Sequence, residues 1–213
     1  MDPTPMFPLG SVLFPGMSLP LQIFEMRYQL MLADVLANDG TFGVVLIQRG
    51  NEVGGGDIRS NTGTLAQIIR HEPRSRGRHS ILAVGVERIR VNSWLPDDPY
   101  PLAEVEPWPD EFDDAGTSSD SADLGEAYGS CVESLRELLA TAAGLGHHVA
   151  PASFVTPDDP VAGSNFLGSV APLGPFDRQR LLDAPGASHR LMILSEMISE
   201  QMVLITGDLG PDI

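Results

Sequence analysis

The chain has 213 residues, 42% of them hydrophobic, and its 29 acidic against 13 basic side chains give a formal net charge of −16. That length accommodates one large domain or two small ones with a sizeable core, and the charge opposes binding to nucleic acid or an anionic membrane, both polyanions. All thirteen basic residues are arginine and there is one cysteine, which excludes a P-loop lysine, a Schiff-base lysine, a Ser–Lys dyad, an internal disulfide and a multi-cysteine zinc cluster within this sequence, and suits a reducing cytosol.

From Pro3 to Phe24 no residue is charged. A membrane span of that length is argued against by Pro5, Pro8, Pro15 and Pro20, since each removes a backbone donor and lipid offers the freed carbonyl no partner. An export signal needs a basic leading segment, whereas the first charge here is Asp2. The prolines, Gly10 and Gly16 cut the stretch into "MFPL", "SVLF" and "SLPLQIF", which read as short strands, with Pro15-Gly16 suited to a type II turn. In "EMRYQLMLADVLANDG", Met31, Leu32, Val35 and Leu36 have helical spacing and Gly40 is a stop; Tyr28 is expected at the edge of the core. "FGVVLI" is a buried strand, "NEVGGGDIRSN" a loop and "TGTLAQIIRH" a second strand. "SILAVGVERIRVNSWL" supplies one or two strands with a bulge or bend at Gly85, and "PLAEVEPW" closes the β-rich part.

Residues 109–122, "PDEFDDAGTSSDSA", are acidic and Ser-rich with little to bury, the composition of a linker or mobile loop. Beyond them the pattern is helical. Leu124, Tyr128, Cys131, Leu135, Leu138 and Ala142 share one helix face, so Cys131 is expected to be an inert core cysteine. "DPVAGSNFLGSVAPL" and "PFDRQRLLDA" each open with Asp or Pro near a first turn. A last helix begins near Ala187, with Leu191, Leu194, Ile198, Met202 and Ile205 on one stripe and Ile193, Met197 and Leu204 on another. Such a helix is sandwiched in a bundle or covered by a partner.

"FPLGSVLFPGMSLPLQIFEMRYQLMLADVL" resembles the opening of the Lon substrate-binding domain, the N-terminal region of Lon proteases, which also occurs alone in bacterial proteins and with extra domains in cereblon. The family pattern FPL, VLFPG, LPL-x-IFE-x-RY is matched from Phe7 to Tyr28. "FGVVLI", "TGTLAQI" and "LAVGVERIRV" continue it, the last being similar to a G-x-x-R-[FI]-x-V strand. "RQRLLDAPGASHRLMILSEMISEQM" is similar to the family's closing helices. The resemblance implies an α+β fold: a PUA-like β-barrel of curved, antiparallel-rich sheets with one helix over residues 1–108, an acidic linker or loop over 109–122, and a helical bundle over 123–213. It implies that the chemistry is missing, because Lon proteases carry an ATPase module and a Ser–Lys protease domain beyond this region. This sequence has no G-x-x-x-x-G-K-[ST] and no lysine, and one cysteine is too few for the zinc site beside the domain in cereblon.

The expectation is therefore a non-enzymatic cytoplasmic module for polypeptide segments or a partner protein, such as unfolded clients or a separate protease. It would act through an apolar groove between barrel and bundle, or by strand addition at an open barrel edge. No catalytic residue, cofactor or metal is expected. His147-His148 lack further ligands nearby, and His71 and His79, which flank a turn, make a poor site as two histidines alone. Glu25 and Arg27 are candidate peptide contacts; a structural pair that caps and orients the first helix is the preferred reading. The alternative function is an RNA- or anion-binding PUA-like protein using Arg74, Arg76 and Arg78. Six arginines against two glutamates lie between Arg70 and Arg90, but no aromatic residue sits among those of the hairpin to stack on bases, and family members turn this hairpin with a DGR-like tip. These arginines are also expected to pair with the acidic stretch 97–126, a contact that added salt would loosen.

Overall fold

The structure, a computed structural model, describes residues 3–49, 58–111 and 118–207, the side chains of residues 76 and 118–122 excepted. The chain divides into two compact units, Met1–Pro109 and Asp110–Ile213. The first contains β1 (Thr4–Leu9), β2 (Ser18–Ile23), α1 (Met26–Ala37), β3 (Thr41–Arg49), β4 (Ile58–Pro73), β5 (His79–Trp94) and β6 (Leu102–Pro107). They form one mixed sheet in the order β2-β5-β4-β3-β1-β6, and β6 also pairs with β5, so the pairings β1–β3–β4–β5–β6–β1 return to their starting strand. Only β1 and β3 run parallel. A parallel pair needs a long crossover, which β2 and α1 supply.

The strand expected at "SVLF" does not form. Leu13 and Phe14 are buried, but Gly10 and Ser11 bend the chain, and the Leu13 carbonyl accepts the buried Thr64 hydroxyl at 2.6 Å in place of a ladder N–H. The type II turn does form: Met17 N–H donates to the Phe14 carbonyl, and Gly16 takes the left-handed φ of +81° that the third turn position requires. Gly85 answers this turn. Its carbonyl accepts Gly16 N–H and its own N–H donates to Met17 O, at 2.8 and 2.9 Å. Leu65 pairs with Glu87 and Ala66 with Gly85, so Val86 is the extra residue of a bulge in a single long β5. Of the loop expected at "NEVGGGDIRSN", residues 51–57 lie outside the described residues and Ile58 onward is already β4.

α1 buries Tyr28, Met31, Leu32 and Val35, the i, i+3, i+4, i+7 stripe of an amphipathic helix. Leu36, one step past that stripe, is 41% exposed. Tyr28 lies deeper than the core edge: Phe7 stacks on its ring at a centroid distance of 4.1 Å, and the Arg27 guanidinium lies 4.5 Å from that ring's centroid. The helix ends where Asn38 and Gly40 N–H groups both donate to Val35 O, with Gly40 at φ +78°.

The second unit contains α2 (Ser118–Gly144), α3 (Pro160–Val170), α4 (Pro175–Leu182) and α5 (Ala187–Gly207). α2 begins inside the stretch expected as a linker and buries Tyr128, Cys131, Leu135, Leu138 and Ala142. Asp159 caps α3 by accepting Ala162 N–H, with Pro160 at the first position. α5 buries Leu191, Leu194, Met197 and Ile198, but Val203 and Leu204 in its last turns are exposed. Arg190, 1% exposed, donates to both oxygens of Asp110 at 3.0 and 2.8 Å, to Ser164 Oγ at 2.7 Å and to Leu181 O at 3.2 Å. No helix among the described residues is long and apolar enough to cross a membrane.

Candidate functional site

Glu25 and Arg27 flank the start of α1. Arg27 Nε meets Glu25 Oε2 at 3.2 Å, and both side chains are about four-fifths buried. Glu25 is the N-cap residue, yet its carboxylate makes no cap bond, so it holds Arg27 against Tyr28.

Arg74, Arg76 and Arg78 lie at the tip joining β4 to β5. A short 3-10 turn spans Ser75–Gly77, Gly77 has φ +70°, and Arg74 N–H donates to Arg78 O at 2.7 Å. Arg74 Nη2 is bound to Glu72 Oε2 at 2.6 Å; the Arg76 side chain lies outside the described residues. Within the first unit, the expected ion pairs between this tip and residues 97–109 are not formed among the described residues. Asp97 takes a bidentate contact from Arg59, and Asp110 takes one from Arg190. At the base of the tip His71 Nε2 and His79 Nδ1 lie 2.9 Å apart, so one ring donates a hydrogen bond to the other. No group of three or more metal-ligating side chains occurs among the described residues. The Cys131 thiol is pushed up by burial, partly offset by a Ser195 hydrogen bond, which leaves it a poor nucleophile.

The open sheet edge is β2, which pairs with β5 alone. Pro20 sits opposite Leu82 at its middle. Having no N–H, Pro20 leaves a gap in the donors of the unpaired edge, a feature that discourages strand addition.

A concave site is present in the first unit, with a cavity of about 760 Å³, in the range of ligand pockets. Val35 and Ile89 form its floor, and Leu65, Leu102 and Val105, all half-buried, form apolar walls. Asp34 from the last turn of α1, Asp39 from the turn after it and Glu87 from β5 add carboxylates, and no basic side chain among the described residues lines it. Tyr100 donates to Asp34 Oδ2 at 2.7 Å; burial first, and the Asp34 carboxylate second, push its hydroxyl up to about 12. Asp39 is held below the usual carboxylate range because Oδ1 accepts the Thr41 hydroxyl at 2.7 Å and the Thr41 N–H at 3.0 Å. What the cavity offers a ligand is shape and charge; its lining has no nucleophile–base pair among the described residues. Sequence reasoning missed it because Asp34 on α1, Glu87 on β5 and Tyr100 in the bend before β6 are far apart in sequence and line one cavity only in the fold.

A family model described as the ATP-dependent protease La (LON) substrate-binding domain matches residues 3–200. A Lon protease of Desulfosudis oleivorans is 24% identical over 213 residues, covering 97% of this chain and 25% of that protein. Lon protease 2 of Sorangium cellulosum is 26% identical over 208 residues, covering 96% and 25% respectively. The chain thus spans about a quarter of the length of these curated relatives. The crystal structure of a Lon N-terminal domain protein from Xanthomonas campestris is similar in fold, with a TM-score of 0.63, 24% identity, and coverage of 92% of this chain and 98% of that one.

Proposed function

This chain belongs to the LON substrate-binding domain family, and on that premise we propose that it is a non-enzymatic polypeptide-recognition module. The observation that carries the reading is the groove of α1, β5 and β6: an apolar floor with polar groups around it suits an extended segment whose alternate side chains can be buried. The family match to a substrate-binding rather than a catalytic domain supports it. In this reading the returning strand pairings are the PUA-like barrel, the four C-terminal helices are its bundle, and the protein works in the cytoplasm on unfolded segments or a protease partner. Strand addition at β2 is the weaker route because of Pro20.

The test is capture of peptides from an immobilised library of extended segments, with and without nuclease. Val105→Asp and the milder Leu102→Ser, both checked for native circular dichroism, should weaken capture by about tenfold, since a polar group in an apolar wall costs on the order of 1–3 kcal/mol. Arg74→Ala with Arg78→Ala should leave it intact. Binding that vanishes with nuclease and with the arginine pair would replace this reading with the RNA- or anion-binding one.

A further inference from the structure

We propose that this groove selects segments in which an arginine or lysine is set among apolar residues, an inference that rests on the polypeptide-recognition reading and narrows its substrate class. Three carboxylates surround one apolar floor from three positions in the fold: Asp34 in the last full turn of α1, Asp39 in the turn to β3, and Glu87 on β5. The same end of α1 carries the negative pole of the helix, with no basic residue in its last turn to offset it. Among the described residues, no arginine lines the site. Arg88 and Arg90, the cations nearest Glu87 in sequence, lie with their guanidinium carbons 4.1 and 4.0 Å from the Trp108 ring centroid, and Arg88 also donates to the Trp108 and Pro109 carbonyls.

The choice of occupant follows from charge. A purely apolar segment would fill the floor but strip water from carboxylates without replacing it. An acidic segment would meet three like charges. A basic side chain lays its aliphatic stem on Val35 and Ile89 while its head reaches the carboxylates. Asp39 is locked as an acceptor by Thr41, which keeps its charge available at neutral pH.

The experiment uses three acetylated, amidated peptides of leucine and valine, identical except for a central arginine, citrulline or glutamate, with binding read by fluorescence anisotropy on the full chain. The arginine peptide should bind about tenfold tighter than the citrulline peptide at low salt, and most of that advantage should vanish near 0.5 M salt, where the screening length is roughly 4 Å. Glu87→Gln, at an exposed position that does not threaten folding, and Asp34→Asn should each shrink the arginine-to-citrulline ratio. Equal affinity for the arginine and citrulline peptides, or preference for the glutamate one, overturns the selectivity while leaving polypeptide recognition standing. Binding of none of the three, together with an empty library screen, removes both.

Discussion

Tyr100 shows how much a single buried hydroxyl can report. It is 7% exposed, and its proton sits between its own oxygen and Asp34. Its folded-state pKa of about 12 lies above the ordinary value of 10.0, so the native chain keeps this proton at pH values where the unfolded chain has released it. The unfolded state then binds fewer protons, and stability must fall as pH rises. The contribution is complete below about pH 10 and is lost between 10 and 12. Urea titrations at stepped pH across that window should give a steeper loss for the native sequence than for Tyr100→Phe, because every other titrating group is common to both. Parallel curves would mean that the Tyr100–Asp34 contact, and with it that wall of the groove, is not held in solution. Asp34 and Tyr100 are 66 positions apart, so no local pattern marks them as partners. Pro15-Gly16 and Gly40 were legible because their conformations are set by neighbours two or three residues away.

At the scale of elements, periodicity found what periodicity governs. β3 has a continuous apolar run and is buried from Phe42 to Ile47; α1 and α2 have helical stripes and bury them. "SVLF" has the same local signal as a strand, yet tertiary partners decide it: Thr64 takes the Leu13 carbonyl, and Gly85 takes the turn after Phe14. Gly85 is therefore a packing residue as well as a bend. A Cβ there would sit 2.5 Å from Phe14 O and 3.0 Å from Thr64 Cγ2, and the nearer neighbour is backbone that cannot swing aside. Gly85→Ala should cost about 1–3 kcal/mol through forced backbone shifts, read as a lower denaturation midpoint at unchanged slope. An unaltered midpoint would show that the turn and bulge slide past each other. The carboxylates of the groove were illegible for the complementary reason, since Asp34 on α1 and Glu87 on β5 are distant in sequence and line one cavity only in the fold.

For the whole molecule, composition alone drew the boundary at the acidic stretch and treated residues 109–122 as solvent-facing. The structure gives Asp110 a different role within the second unit. It neutralises Arg190, the largest fully buried side chain among the described residues, while Glu111 N–H donates to Pro185 O at 2.8 Å. A buried guanidinium without its carboxylate costs about 3–5 kcal/mol, a large part of the roughly 5–15 kcal/mol by which domains are stable. We therefore expect each unit, expressed alone as 1–109 or 110–213, to unfold in one cooperative transition, since each carries its own buried core. A fragment begun at 123, where composition places the helical part, should be severely destabilised: it lacks Asp110, Glu111 and the first turn of α2. Asp110→Ala in the 110–213 fragment separates the causes. If it reproduces most of the loss, the ion pair is the anchor. If it is nearly neutral while the 123 fragment still fails, the stability lies in the first turn of α2, and the cut composition chose is wrong for a helical rather than an electrostatic reason.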